Sequence, residues 1–556
     1  MPASRLARLG LVVAAAGLLG GHILLFNFVT DDAYISFRYA RNLAEHGQLV
    51  FNLGERVEGY TNFLWTVTLA GLLKLGARPE VSSRVLGALF ALGGLLVTLR
   101  LGAVLHGGKR SPWDAVAPLL LAATGGYAAW ASGGLETQMF TFFFVLGVAR
   151  YLEDHLAGRD PLGCAVPFAL AALTRPEGSF LFALTLVHRG LHDLRRRRFV
   201  PSGRELGFVG LFLLVVVPYF AWRWHYYGWP FPNTYYIKSS GGPGTLDRGL
   251  YYLWRFAVDH ELLVLLPLVA LGWPRPGDRG ARTLLGYAAL ILGPFLVYVA
   301  KVGGDFMGLY RFLVPLTPLL ALVAQESLLR AAERAAPHAG RFAPAGAAAA
   351  LVLLYGASSL GASLRSLRTV GADRGIDTIG YLKKFAYDRA LVGKWFATVL
   401  KPDDTMTVGG AGAQPYYAGN VPTLDAFGLT NEYIAHWVPS VTDRPGHQKF
   451  ACNEFAVDNR PCFGTKKGAP PPPRRPRPTV VCHSYRLGDP GPYHPPAGDA
   501  AYWRSLGYEW VSARIPGLNP PYYSFLKRLD RELGPFPAHA PPVPAAPPHA
   551  ADGREP

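Results

Sequence analysis

"NFLWTVTLAGLLKLG", residues 62–76, sets the side of the membrane on which every later loop lies. The run is apolar, but at 1.5 Å rise per residue it reaches only about 22 Å, against ~30 Å of hydrocarbon. Read as a crossing, it would move every loop downstream to the opposite face. Read as a helix along the interface, it leaves them where they are. The charges on the flanking loops separate the two readings.

The first apolar run, 9–29, is long enough to cross. Further candidates lie at about 82–105, 113–130, 138–152, 162–173, 178–190, 205–221, 256–273, 282–300, 312–329 and 344–361. The stretch 162–173 is short and needs its flanks or a thinned bilayer. A cleaved leader competes for 9–29, because Arg5 and Arg8 precede an Ala-, Gly- and Leu-rich run. The length of the run, the lack of a small-x-small site near 26–30 and the further apolar segments disfavour it.

With Arg5 and Arg8 cytoplasmic and the spans alternating, 109–110, the loop after Arg150, 195–198, 275–282 and 330–341 share one side. Asp31, Asp32, Glu136, 175–177, 229–244, 303–305 and everything after about 362 share the other. One-sided basic loops are what the positive-inside rule requires. Putting 62–76 into the membrane would place 195–198 outside. The expected fold class is therefore a polytopic α-helical membrane protein of about eleven transmembrane helices, N-terminus in, with an extracytoplasmic mixed α/β domain at the C-terminal end.

Composition agrees with a membrane protein. Half of the 556 residues are hydrophobic and only 17% are charged. The net charge of +17 is mostly accounted for by the cytoplasmic loops, so no nucleic acid partner is needed.

Three regions follow: a membrane module at 1–361, a soluble domain at 362–535 and a Pro/Ala-rich tail at 536–556, expected to be disordered. Residues 405–409 read as a buried strand ending in glycines, and 421–424 as another. "KKGAPPPPRRPRP", 466–478, is an extended polyproline insert. Cys164 falls in a membrane segment, and Cys452, Cys462 and Cys482 fall in the soluble domain. A Cys452–Cys462 pair suits an oxidising compartment, though three cysteines leave the connectivity open. No metal motif, P-loop, nucleophile elbow or dinucleotide fingerprint occurs.

"FVTDDAYISFRYARNLAEHG", 28–47, puts two adjacent carboxylates at the end of the first apolar run. Charges at a membrane border are costly unless hydrated or used. The plain reading is helix capping: Thr30, Asp31 or Asp32 can accept from the free amides of a helix over 33–46. Its face of Tyr34, Phe37, Arg38, Arg41 and Glu45 also suits a helix lying on lipid. The functional reading makes one Asp a general base, its basicity raised by partial desolvation.

Other polar groups gather on the same expected side: Glu136, Arg175, Glu177, Arg223, His225, Asn233, Tyr235, Lys238, Lys301, Asp305 and Arg311. Interface belts and snorkelling explain each of them singly. Together they describe a cavity for an anion and a polyhydroxylated ligand beside lipid.

The blocks "DDAYISFRYARNLAEHGQLVFNLGERVEGYTNFLW", "TRPEG", "YYGWPFPNTYYIK", "GGDFM" and "DAFGLTNEYIAH", in this order, resemble the GT-C superfamily of polytopic glycosyltransferases. They are most similar to the branch of terminal arabinofuranosyltransferases of actinobacterial cell walls. The resemblance covers roughly 5–440, and its first block is the most specific.

It implies a bacterial inner-membrane enzyme that takes a sugar from a polyprenyl-phosphate donor, not a nucleotide sugar, and passes it to a cell-envelope glycan or glycolipid. Asp31 is then the expected base, with Asp32 orienting it, capping the helix or holding the acceptor. Arg175, Lys238, Lys301 and Arg311 are the candidates for the departing phosphate. Glu58, Tyr60, Asn62, Glu177, His225, Asn233, Tyr235 and Asp305 are candidates for sugar or acceptor. No metal ligand is assigned and no cofactor is required, while assistance by a divalent ion is left open.

A flippase of lipid-linked sugar would share the spans and the anion site without needing a base. A lipid A or protein glycosyltransferase would be the same chemistry on another acceptor. A non-catalytic surface scaffold is disfavoured, because an anchor needs a single span.

Overall fold

A computed structural model describes residues 3–238, 244–339, 343–442, 444, 446–486 and 492–534. The expected disordered tail, 536–556, lies outside the described residues. The remainder is a helical bundle through Arg368, followed by a mixed α/β domain.

The count of about eleven spans is corrected. Among the described residues, six helices are long and apolar enough to cross a membrane: Arg5–Phe26, Pro79–Leu105, Gly203–Tyr227, Arg279–Lys301, Arg311–Ala335 and Ala345–Arg368. A seventh is reached only if Pro112–Ala123 and Gly125–Ser132, bent by 62° to one another, count as one span. The expected span at 256–273 is broken at Glu261, which sits at φ 53°, leaving the ten-residue helix Leu262–Leu271. The stretch at 162–173 forms only Ala165–Thr174, also ten residues and largely buried within the protein. Thr137–Leu156 and Glu177–Arg195 hold the remaining two, and both end in charged turns. Hydropathy scored Ala165–Thr174 and Thr137–Leu156 as lipid-facing because burial against other helices selects the same side chains, whereas Leu262–Leu271 has no buried residue and is simply too short. Residues 62–76 form the helix Phe63–Lys74, whose twelve residues reach about 18 Å and so fall short of a crossing.

The helix Asp31–His46 follows the first span. Thr30 precedes it in extended conformation, and Gly47 closes it at φ 67°, donating to Leu43. Its polar face does not lie on lipid. Arg38, 2% exposed, donates to the carbonyls of Phe51, Pro415 and Val421 at 2.8–3.0 Å. Arg41 donates to the Tyr416 carbonyl at 2.9 Å. The helix is thus a keel on which the C-terminal domain is seated. Burying a guanidinium is costly unless its donors are matched, and these carbonyls match them. Asn52 completes the seat: its amide exchanges two hydrogen bonds with the backbone of Thr423, at 3.0 and 2.9 Å, on the edge of the domain's sheet.

That sheet has five strands in the order Thr423–Asp425, Met406–Val408, Val480–Arg486, Tyr522–Arg528 and Tyr508–Arg514. The first three run parallel and the last two pair antiparallel. Its core joins Met406, Val408, Val480 and Phe525 to Val392 and Phe396 of the helix Ile379–Val399. Cys452 and Cys462 form a disulfide, while Cys164 and Cys482 are free and buried. The Pro-rich insert at 466–478 contains neither helix nor strand.

Candidate functional site

The short strands Met406–Val408 and Thr423–Asp425 end in turns that face the start of the helix Asp31–His46. Between them lies a cavity of about 340 Å³. The helical bundle supplies Asp31, Asp32, Tyr60, Asn62, Glu136, Arg175, Lys238 and Arg311 to its walls. The C-terminal domain supplies Asp377, Gly409–Ala411, Asp425, Phe427, Arg444, His447 and Phe450.

The two adjacent carboxylates sit differently. Asp31 is 8% exposed and its Oδ1 accepts from the Ala413 N–H at 2.8 Å. A Cβ on Gly412 would overlap both the Asp31 backbone oxygen and its carboxylate, so only glycine admits this approach. Burial pushes the Asp31 carboxyl up to about 6, opposed by the Ala413 N–H. The helix-cap reading does not describe it, since its hydrogen bond goes to another domain. Asp32 is half-buried. Burial raises its pKa too, opposed by Arg311 and then Lys238.

The four expected phosphate ligands separate into three situations. Lys238 lines the cavity with its ammonium 5.9 Å from the Phe312 ring centroid, and burial lowers its pKa against the pull of Asp305. Arg311 also lines the cavity, its Nε donating to Asp305 Oδ2 at 2.9 Å. Arg175 is clamped between Glu136 at 2.7 Å and Glu177 at 2.8 Å. Burial disfavours its charge, but Glu177 and Glu136 more than offset this and hold its pKa above the ordinary value. Lys301 is exposed and takes no part in the cavity.

Of the expected sugar ligands, Tyr60 and Asn62 line the cavity. Tyr60 is hydrogen-bonded to the Tyr227 hydroxyl at 3.1 Å, and Asn62 donates to Glu136 at 2.8 Å. Asp305 stands behind Arg311. Glu177 turns away to Arg175 and to Tyr298, whose hydroxyl donates to it at 3.3 Å. Glu58 is outside the cavity, buried in an ion pair with Arg223. Its carbonyl accepts from the Asn233 N–H at 3.0 Å, and Asn233 itself is buried outside the cavity. His225 and Tyr235 are exposed and outside it. Among the described residues no group of three or more His, Cys, Asp or Glu is placed to hold a metal ion.

Sequence reasoning left out the C-terminal wall. Asp425 organises it, accepting from the N–H groups of Phe427 at 2.9 Å and Thr430 at 3.0 Å. Burial pushes its carboxyl up to about 6, opposed by those same N–H groups. Asp377 accepts from Arg444 at 2.7 Å, and burial pushes it also to about 6 against that partner. The signals available were the glycines of 409–412 and the block "DAFGLTNEYIAH".

Comparison with known proteins adds the following. Residues 380–470 match a family described as "Domain of unknown function (DUF8728)". Over 357 residues the chain is 27% identical to the terminal β-(1→2)-arabinofuranosyltransferase of Mycobacterium tuberculosis, covering 57% of this chain and 55% of that protein. It is 29% identical over 349 residues to the protein of the same name from Corynebacterium glutamicum, covering 53% and 48%. The chain thus spans about half the length of these curated relatives. Its fold is similar to that of ArnT from Cupriavidus metallidurans, solved bound to undecaprenyl phosphate. The TM-score is 0.50 at 17% identity, over 75% of this chain and 85% of that one.

Proposed function

We propose that this chain is a GT-C-type glycosyltransferase that moves a sugar from a polyprenyl-phosphate donor to a cell-envelope saccharide, with inversion at the anomeric carbon. The observation that carries this reading is the meeting of Asp31, Asp32, Lys238 and Arg311 in one cavity. The likeness to ArnT and to the two arabinofuranosyltransferases supports the donor class and the reaction type.

Asp31 accepts the proton of the acceptor hydroxyl. Its raised pKa makes it a stronger base than an ordinary aspartate while leaving it mostly ionised at neutral pH. The Ala413 N–H fixes the plane of the carboxylate. The acceptor oxygen attacks the anomeric carbon, the bond to the phosphate oxygen breaks, and the lipid phosphate leaves with that electron pair. Lys238 and Arg311 stabilise the charge it gains. Asp32, facing both cations, orients the acceptor or the donor sugar. Arg175 braces Glu136, and through it Asn62.

The cavity is proposed to open on the external face of a bacterial cytoplasmic membrane, with the N-terminus inside. Two observations support this. Arg8, His106, Asp114, Asp278, Glu326 and Arg330 form a chain of ion pairs that draws together the loops of the basic side. The disulfide lies in the C-terminal domain, as an oxidising compartment allows.

Deletion followed by mass spectrometry of envelope glycans and lipid-linked sugars tests the reaction. A missing sugar with accumulated lipid donor is expected, and unchanged glycans and donor pools overturn it. A reporter fused after Ser366 should be external and one after Arg198 cytoplasmic; the same side for both overturns the orientation.

A further inference from the structure

We propose that the C-terminal wall of the cavity, with Phe306 reaching it from the bundle, is the saccharide subsite for the acceptor, built from Asp377, Phe427, Arg444, His447 and Phe450 beside Phe306. The inference rests on the transfer reaction above and divides its cavity between two substrates. The side walled by the bundle carries Lys238 and Arg311, which suit a phosphate. The other side offers no unpaired cation among the described residues: Arg444 donates to Asp377 at 2.7 Å, and the Asp425 carboxylate is held by the Phe427 and Thr430 N–H groups. What it offers is aromatic surface.

His447 stands between Phe306 and Phe427, ring centroids 5.2 and 4.6 Å away, and Phe427 meets Phe450 at 5.4 Å. All three contacts are edge-to-face, with interplanar angles of 89°, 71° and 65°. Phe427, His447 and Phe450 are only half-buried while lining the cavity, so the row keeps surface towards it. The C–H face of a sugar ring is apolar and its rim is hydroxylated. Aromatic side chains with a few polar groups at their edge match that surface.

The polar edge is present. The Arg444 guanidinium lies 5.4 Å from the Phe306 centroid. Asp377 Oδ1 and Arg444 Nε are buried without hydrogen-bond partners among the described residues. One is an acceptor and the other a donor. A sugar hydroxyl, able to do both, satisfies the pair by charge-assisted hydrogen bonds. The two sides meet at Gly446, whose Cβ position would lie 3.8 Å from Phe306 and 4.0 Å from the Lys238 side chain. A saccharide seated on the rings therefore borders the proposed phosphate position, as transfer demands.

The test uses the full chain in lipid nanodiscs with two probes. One is an array of arabinofuranosyl, galactofuranosyl and hexopyranosyl oligosaccharides; the other is undecaprenyl phosphate. Wild-type protein should retain at least one saccharide class, and Phe427→Ala and Phe450→Ala should each weaken it tenfold or more. Undecaprenyl phosphate affinity should change less than twofold in both. Phe427→Tyr, which keeps the ring, should restore saccharide binding and so excludes a folding defect. No saccharide retained by wild-type protein overturns the subsite, as does retention unaltered by either alanine. Equal losses for both probes likewise overturn the division of the cavity. Failure of wild-type protein to bind undecaprenyl phosphate while saccharide binding behaves as expected counts against the donor reading and leaves this subsite standing.

Discussion

The two poles of the helical bundle treat charge in opposite ways. At the pole away from the cavity, Asp114 receives Arg8 at 3.4 Å and His106 at 3.8 Å, while Glu326 receives His106 at 3.3 Å and Arg330 at 2.8 Å. Each charge is spent on a neighbour, and the network ties loops together. At the cavity pole Arg175, Arg311 and Arg444 are paired in the same way, but the side chains of Lys238 and Asp32 line an open space with neither an ion pair nor a hydrogen bond among the described residues. Leaving charged groups partly desolvated and unmatched is destabilising. Its persistence beside a cavity marks the pole that awaits a ligand.

The most severe way to break that contrast is Asp31→Asn. The amide oxygen still accepts from Ala413, so the seat of the domain survives while the proton acceptor is lost. Transfer should fall ~10²–10⁴-fold with little change in melting temperature. Asp32→Asn should cost less; the reverse order in a purified assay would exchange their roles. Next in size, Lys238→Gln should lower turnover by ~10²-fold, the scale on which one stabilising donor acts in a transition state, and should weaken undecaprenyl phosphate binding.

A smaller effect comes from pH. With its carboxyl at about 6, Asp31 is increasingly protonated as pH falls, and on the proposed mechanism it then no longer acts as a base. kcat/KM should therefore drop about tenfold per pH unit below 6 and level off above it. Asp377 and Asp425 are pushed to about the same value. Loss of the acid limb in Asp31→Asn, measured on its residual rate, would assign it to Asp31.

The smallest effect belongs to the other pole. The neighbouring carboxylates of Asp114 and then Glu326 push His106 up to about 10. A raised histidine pKa stabilises fully below the unfolded value near 6.5 and loses that contribution as pH rises through about 10. His106→Gln should lower the melting temperature by about 2 °C near neutrality and leave transfer unchanged. The difference should shrink towards pH 10, and a loss of transfer instead would erase the distinction between the poles.

How much of this was legible in the sequence follows from the range of each interaction. The acidic pair, the short helix after it and the mixed C-terminal domain all rest on local patterns. Asp31, Asp32, Lys238 and Arg311 could be gathered because each lies in a link between apolar runs assigned to the same side. The number of spans was not legible, since Ala165–Thr174 has the composition of a lipid-facing helix while packing inside the protein. Glu58 read as a sugar ligand because its partner, Arg223, is 165 residues away. The second wall showed only as the glycines of 409–412 and the block that holds Asp425 and Phe427, neither of which says what it faces. Arg444 belongs to no quoted block, and the seating of the domain on Arg38, Arg41 and Asn52 brings these residues opposite Asp31.

The bond from Ala413 to Asp31 joins residues 382 positions apart. During synthesis the aspartate emerges long before the amide that orients it. The first helices are therefore in place while the site has only one wall. A truncated or stalled chain would hold the carboxylates and cations without the glycine turn that aims them. Competence is thus acquired late, once the polypeptide beyond Arg368 has reached its docking face. On the proposed reaction, a partly made copy would be unable to spend its donor on water.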